Sequence, residues 1–256
     1  MKQKKAYIGV TGFMSSQEIT DTLRGIDYKK TDRLIMVGVL ASFKTLQGIA
    51  NKWVNRYPLV NEIAGIFQPN ENFLNLIHFN TKELNTFFAQ LIQINDLAGD
   101  SFNGFQLNIA WPDPKVLEKY KRLCPDKNIV LQIGGGAFEK ISHSPVKLAE
   151  KINNEYAGLI DYVLLDPSGG TGKQFDPIVA RGYLEELSKH ENDFGLGVAG
   201  GLSSSTLNLI EPLVKDFPNI SIDAEGKLRT SEDHLDVNEA GSYIKKSLDL
   251  FSISVI

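Results

Sequence analysis

YVLLDPSGGTGKQFDPIVARGYLEELSK, residues 162–189, carries the plan of the chain in one stretch. The apolar run 162–166 ends on Asp166 and gives way to a glycine-rich turn, which closes on Asp176-Pro177. That pair is a helix-start signal, because an aspartate can cap free N–H groups and proline fits the first helical turn. Residues 177–189 then carry apolar side chains at three- and four-residue spacing, so the stretch reads strand, loop, helix. The run 162–166 alternates poorly between apolar and polar residues, as expected of a strand covered on both faces in a parallel sheet.

The same unit recurs in both directions. Further strands are expected at 6–11, 34–39, 74–79, 105–110, 129–133, 194–198 and 220–224. Amphipathic segments follow them at 16–24, 44–55, 82–94, 114–123, 145–156, 204–215 and 237–251. Asp113-Pro114 and Ser144-Pro145 repeat the start signal. Eight such units in 256 residues leave 32 residues each, which suits an α/β protein of the (β/α)8 TIM-barrel class, expected to form a single domain over residues 1–256. No composition shift or linker marks a boundary. Residues 56–72 fit the scheme least, and a helix extension, an extra strand or an inserted loop remain open there.

Composition narrows the function classes. A net charge of -4 argues against a broad nucleic-acid-binding surface. One cysteine, Cys124, can form neither an internal disulfide nor a cysteine metal cage. No stretch approaches the roughly twenty apolar residues of a membrane helix, and glycines 9 and 12 interrupt any signal-like run, so a cytoplasmic protein is expected. Lys2, Lys4 and Lys5 read as a solvated terminus, Cys124 as a buried small hydrophobe, and the scattered His78, His143, His190 and His234 as ordinary polar residues without metal-ligand spacing. Trp111 reads equally as packing or as a ligand-stacking group, and the serines 203–205 as helix caps.

In a barrel the chemistry sits on the loops after the strands. Strand six runs into Gly169-Gly170-Thr171-Gly172, strand seven into Gly200-Gly201, and strand eight into Asp223-Ala224-Glu225-Gly226. Glycines there expose backbone N–H groups, and three successive glycine loops point to a phosphate site at Gly169, Gly170, Thr171, Gly172, Gly200, Gly201 and Gly226. A nucleotide P-loop is excluded, since Pro167 stands for its first glycine and Gln174 for its Ser/Thr. The first strand lacks the dinucleotide fingerprint. No cofactor and no metal are demanded. The expected partner is a small phosphorylated metabolite, with neither nucleic acid nor membrane, and the oligomeric state stays open.

LLDPSGGTGKQFD (164–176), AGGL (199–202) and IDAEG (222–226) together resemble the phosphoribosylanthranilate isomerase family, strongly over 162–202 and weakly over the whole barrel. Phe105-Gln106-Leu107 is similar to the family's fourth strand, with Asn108 where histidine is usual, and Ser42-Phe43-Lys44 is similar to its carboxylate-receiving serine-proline-arginine. The resemblance implies an Amadori rearrangement of a phosphoribosylamine, with Asp166 as the acid and Lys44, Gln106 and Asn108 toward the substrate. The family's strand-one cysteine, the base, falls on Ile8, with Tyr7 beside it. The expected base is therefore Asp223, at the end of strand eight. Glu225 adds a carboxylate where the family has hydroxyls, and Lys227 and Arg229 are candidates to offset it. Two other readings stay open: a non-catalytic barrel that binds a phosphorylated ligand, and a lyase or epimerase acting on another sugar phosphate.

Overall fold

The eight apolar runs become strands β1 (Tyr7–Thr11), β2 (Leu34–Ser42), β3 (Phe73–Asn80), β4 (Gly104–Leu107), β5 (Asn128–Ile133), β6 (Tyr162–Leu165), β7 (Gly195–Ala199) and β8 (Ser221–Ala224). All pair in parallel and in chain order, and β8 pairs back onto β1, so the sheet closes into a barrel. The computed structural model describes residues 4–167, 175–189 and 193–253. The helices among them are α1 (Ser16–Thr22), α2 (Phe43–Leu46), α3 (Ile63–Ile66), α4 (Phe87–Leu97), α5 (Pro114–Leu123), α6 (Gly135–Lys140), α7 (Pro145–Lys151), α8 (Pro177–Ser188), α9 (Glu211–Val214) and α10 (Val237–Ile253). The protein is an α/β TIM barrel. Among the described residues no helix is long and apolar enough to cross a membrane.

Strand periodicity sorts side chains into two cores. Ile8, Val10, Ile35, Val37 and Val39 join the helices in the large outer core. Tyr7, Met36, Leu74, Leu76, Val130, Tyr162, Leu164 and Ala199 fill the barrel interior. Tyr7 meets Tyr162 edge to face with ring centroids 5.2 Å apart. Small residues on the neighbouring strands make room for this bulk: a Cβ at Gly195 would lie 2.6 Å from the Tyr162 ring, and one at Gly197 would lie 3.0 Å from Leu164. The lower barrel is thus packed mainly with apolar bulk, and the carboxyl side chains of the interior gather at its upper end.

Capping chemistry sets the helix starts. The side chains of Asp113, Ser144 and Asp176 each accept from backbone N–H groups in the first turn of a helix that begins with proline. Helix expectations fail where the chain carries a breaker. The segment expected at 44–55 stops at Leu46, because Gly48 takes a left-handed φ of 65° and turns the chain out. The segment at 204–215 shrinks to a 3-10 turn and α9, with Pro212 opening the latter. Helix α6 arises from the glycine run after β5, which carries no helical signal. Residues 56–72 are mostly irregular and contain only α3.

Lys4 is not a solvated terminal lysine. It donates to Asp161, which also accepts from Lys121 Nζ at 3.0 Å and from the Ile129 N–H at 2.8 Å. This closes the lower rim. Trp111 is a packing residue: it has a φ of 61°, donates to the Ala137 carbonyl at 3.0 Å and lies against Tyr156. Cys124 is half-buried at the end of α5.

Candidate active site

The inward positions at the upper ends of the strands change from apolar to polar. Thr11 ends β1, His78 lies near the end of β3, Gln106 is in β4, Gln132 is in β5, Asp166 follows β6, and Asp223 is in β8. All of these side chains except that of His78 form one connected row. Thr11 Oγ1 reaches Asp223 Oδ1 and Oδ2 at 3.1 and 3.2 Å. Gln106 Nε2 donates to Asp223 Oδ2 at 3.0 Å and to Gln132 Oε1 at 3.1 Å. Gln132 Nε2 in turn donates to Asp166 Oδ2 at 3.0 Å. Two carboxyl groups from β6 and β8 are therefore linked through two amides across the barrel.

Asp223 owes its place to a missing side chain. A Cβ at Gly9 would lie 2.6 Å from Asp223 Oδ1, so only glycine on β1 leaves the carboxyl its room. Ile8, the counterpart of the family's cysteine by resemblance, faces the outer core instead. The inward neighbours on β1 are Tyr7 and Thr11. Burial pushes the Asp223 carboxyl up to about 7, with Glu225 and Asp166 adding to the rise and the bonds from Gln106 and Thr11 opposing it. A carboxyl poised there can both release and accept a proton near neutral pH.

Two cavities open at this mouth, of about 470 and 330 Å³. His78, Gln132, Asp166 and Glu225 line both. Gln106, Asp223, Gly200, Gly201 and Gly226 line the larger, and Asn108 lines the smaller. Gly200 and Gly201 take φ of 107° and 65°, left-handed values that favour glycine, and so bend the backbone at the cavity wall. Lys44 is exposed on α2 and lines neither cavity. Gly169, Gly170, Thr171 and Gly172 lie outside the described residues, as does His190.

Sequence reasoning passed over several residues of the mouth. Gln132 bears the same sign as Gln106, a lone amide in an apolar strand. Arg56 comes from the unassigned segment: its Nη1 donates to Glu225 Oε1 at 2.8 Å, while Nε and Nη2 hold Asp233. Glu225 is thus offset directly by Arg56. Arg229 also feels the Glu225 charge, and it donates to the Gly12 carbonyl at 3.0 Å as a backbone tie between β1 and the β8 loop. His78 is nearly buried, and burial lowers its pKa, which favours the neutral ring. His143 has a φ of 53° and stacks on Phe138, and His234 is exposed.

No family model and no curated protein matches the sequence. Solved structures do. Phosphoribosyl anthranilate isomerase from Thermotoga maritima superposes with a TM-score of 0.62 at 15% identity, over 94% of this chain and 98% of its own. The enzyme of that name from Thermococcus kodakaraensis gives 0.57 at 13%, over 98% of both chains. Active domain 2 of a thermostable chitinase from Pyrococcus furiosus, solved as catalytic-site mutants with chito-oligosaccharides, gives 0.56 at 12%, over 97% of this chain and 96% of its own. At such identities the likeness is one of fold.

Proposed function

We propose that the protein is an isomerase that moves a proton between neighbouring carbons of a small phosphorylated sugar compound, in the manner of an Amadori rearrangement. The observation that carries this reading is the pair Asp166 and Asp223 on one cavity, joined through Gln132 and Gln106, with Asp223 pushed up to about 7. An aldose-to-ketose conversion needs such a pair. In the proposed sequence the substrate nitrogen expels the ring oxygen, and Asp166 protonates that oxygen as the bond to C1 breaks. Asp223 then removes the C2 proton, and the electron pair flows back to nitrogen. The resulting enaminol gains a proton at C1 and loses one from its C2 hydroxyl, which leaves the ketose. The phosphate is assigned to the turn at Gly200 and Gly201 together with Gly226, which line the larger cavity.

A panel of phosphorylated aldoses and their 1-amino derivatives, incubated with enzyme in deuterated water and followed by NMR, tests this. Deuterium is expected at C1 of the ketose product, with rates falling by roughly 10²- to 10⁴-fold in Asp166→Asn and in Asp223→Asn. Turnover that survives Asp223→Asn would refute the assigned base. Binding with no exchange on any member would favour the non-catalytic reading instead. That second reading draws support from Asp223 already accepting bonds at both oxygens.

A further inference from the structure

The described part of the mouth offers little to an acidic substrate. Three carboxyl groups line it, those of Asp166, Asp223 and Glu225. Of its two cations, Arg56 is held by Glu225 and Asp233, and Lys227 is exposed at the rim. Lys44, the residue expected to receive a carboxylate, lines neither cavity.

Two buried polar atoms beside these carboxyl groups lack partners among the described residues. One is Nδ1 of His78, a residue only 8% exposed, and the other is Oε1 of Gln106, a residue 1% exposed. A buried polar atom left unbonded costs free energy that a ligand can recover. His78 Nδ1 lies 3.6 Å from Glu225 Oε2, too far for a good hydrogen bond. Arg56 engages the other oxygen of Glu225, Oε1, at 2.8 Å. Two atoms 3.6 Å apart at one cavity wall can both accept from a single donor group placed between them. The neutral ring supplies an acceptor in one tautomer, and the carboxylate supplies the charge.

We infer that Glu225 and His78 form a recognition site for a protonated amine, so that the part of the substrate remote from the phosphate carries a basic amino group, distinct from the nitrogen that expels the ring oxygen, rather than a carboxylate-bearing ring. One N–H would bond Glu225 Oε2 and another His78 Nδ1. The Arg56 bond keeps the Glu225 carboxylate turned to receive it. The inference rests on the sugar-isomerase reading for the remainder of the substrate, but the recognition of the amine can be read separately.

Four probes separate the two readings: glucose, glucosamine, glucose 6-phosphate and glucosamine 6-phosphate, with 6-phosphogluconate as the acidic control, each titrated by calorimetry. The amine should strengthen binding by roughly ten- to a hundredfold within each pair, as expected of a buried charge-assisted hydrogen bond. The acidic control should bind more weakly than glucose 6-phosphate, which differs in lacking the carboxylate. Glu225→Gln should abolish the amine preference and leave the phosphate preference unchanged, and His78→Gln should reduce it even if Glu225→Gln does not fold. In the parent protein, ¹⁵N NMR of His78 should show an Nδ1 shift with glucosamine and none with glucose. Equal binding of glucose and glucosamine, tighter binding of 6-phosphogluconate, or an amine preference that survives both substitutions would overturn the inference. Loss of the phosphate preference alone would strike the isomerase reading and leave the amine site standing.

Discussion

Asp223 holds its proton at a pH where an ordinary aspartate has lost it, and that has a price in stability. Its carboxyl ionises at about 7 when folded and at 3.8 when unfolded. Between those values the native state binds a proton that the unfolded chain has released. Stability therefore falls as pH rises from about 4 to 7 and levels off above, by on the order of 4 kcal/mol in all. Asp223→Asn should consequently melt higher than the parent at pH 8, with the gap closing towards pH 4. Thermal melts across that range check it, and a gap independent of pH would count against the buried ionisation. Gly9→Ala acts on the same group from the opposite wall, since the new Cβ would meet Asp223 Oδ1 and the Met36 methyl at 2.6 Å. A loss of about 1–3 kcal/mol is expected in denaturant melts. At this scale Asp166 and Asp223 were legible because each is an acid ending an apolar run. Gln132 is equally visible in NIVLQI, but a single amide inside an apolar strand carries no signal of which face it occupies. Glu225 could be seen as a carboxylate, yet its partner Arg56 lies 169 residues away in the chain, and no local pattern joins them.

Elements were legible where capping chemistry and periodicity agree. Helix α5 starts and ends where the Asp113-Pro114 signal and the apolar spacing put it. The excursion after α2 was not legible, because its order comes from distant contacts rather than from a repeating pattern. Arg56 ties this excursion to the β8 loop through Glu225 and Asp233, and Asn55 adds a bond to the Glu232 carbonyl at 2.9 Å. The excursion also carries Ile49, Trp53, Val54 and Leu59 largely exposed, so it buries little apolar surface to hold itself in place. Arg56→Met should speed amide hydrogen exchange across residues 49–62 by roughly tenfold or more, as one lost multidentate ion pair of about 1–3 kcal/mol implies. The strands of the barrel should exchange as before. Uniform acceleration over the whole chain would show that Arg56 supports the barrel itself.

For the whole molecule, the alternation of strands and helices is enough to read a barrel, but not the contacts that seal it. Asp161 does this at the lower rim, where it gathers Lys4 from before β1, Lys121 from α5 and the Ile129 amide of β5. Burial pushes its carboxyl up, but these three partners outweigh that and hold it below the usual range. A depressed carboxyl contributes stability above its unfolded pKa and loses it as pH falls through the folded one. Asp161→Asn should thus cost more stability at pH 7 than near the acid end of the folding range, as measured by urea melts at both. From the sequence Lys4 reads as solvated, because nothing local names Asp161, 157 residues away, as its partner.

The row from Thr11 to Asp166 draws on the first strand, the last strand and three between. A chain emerging from the ribosome therefore cannot complete this row until β8 has cleared the exit tunnel and docked on β1. Products that end before β8 would carry Asp166 and both glutamines without Asp223, leaving the row without its anchor on β1.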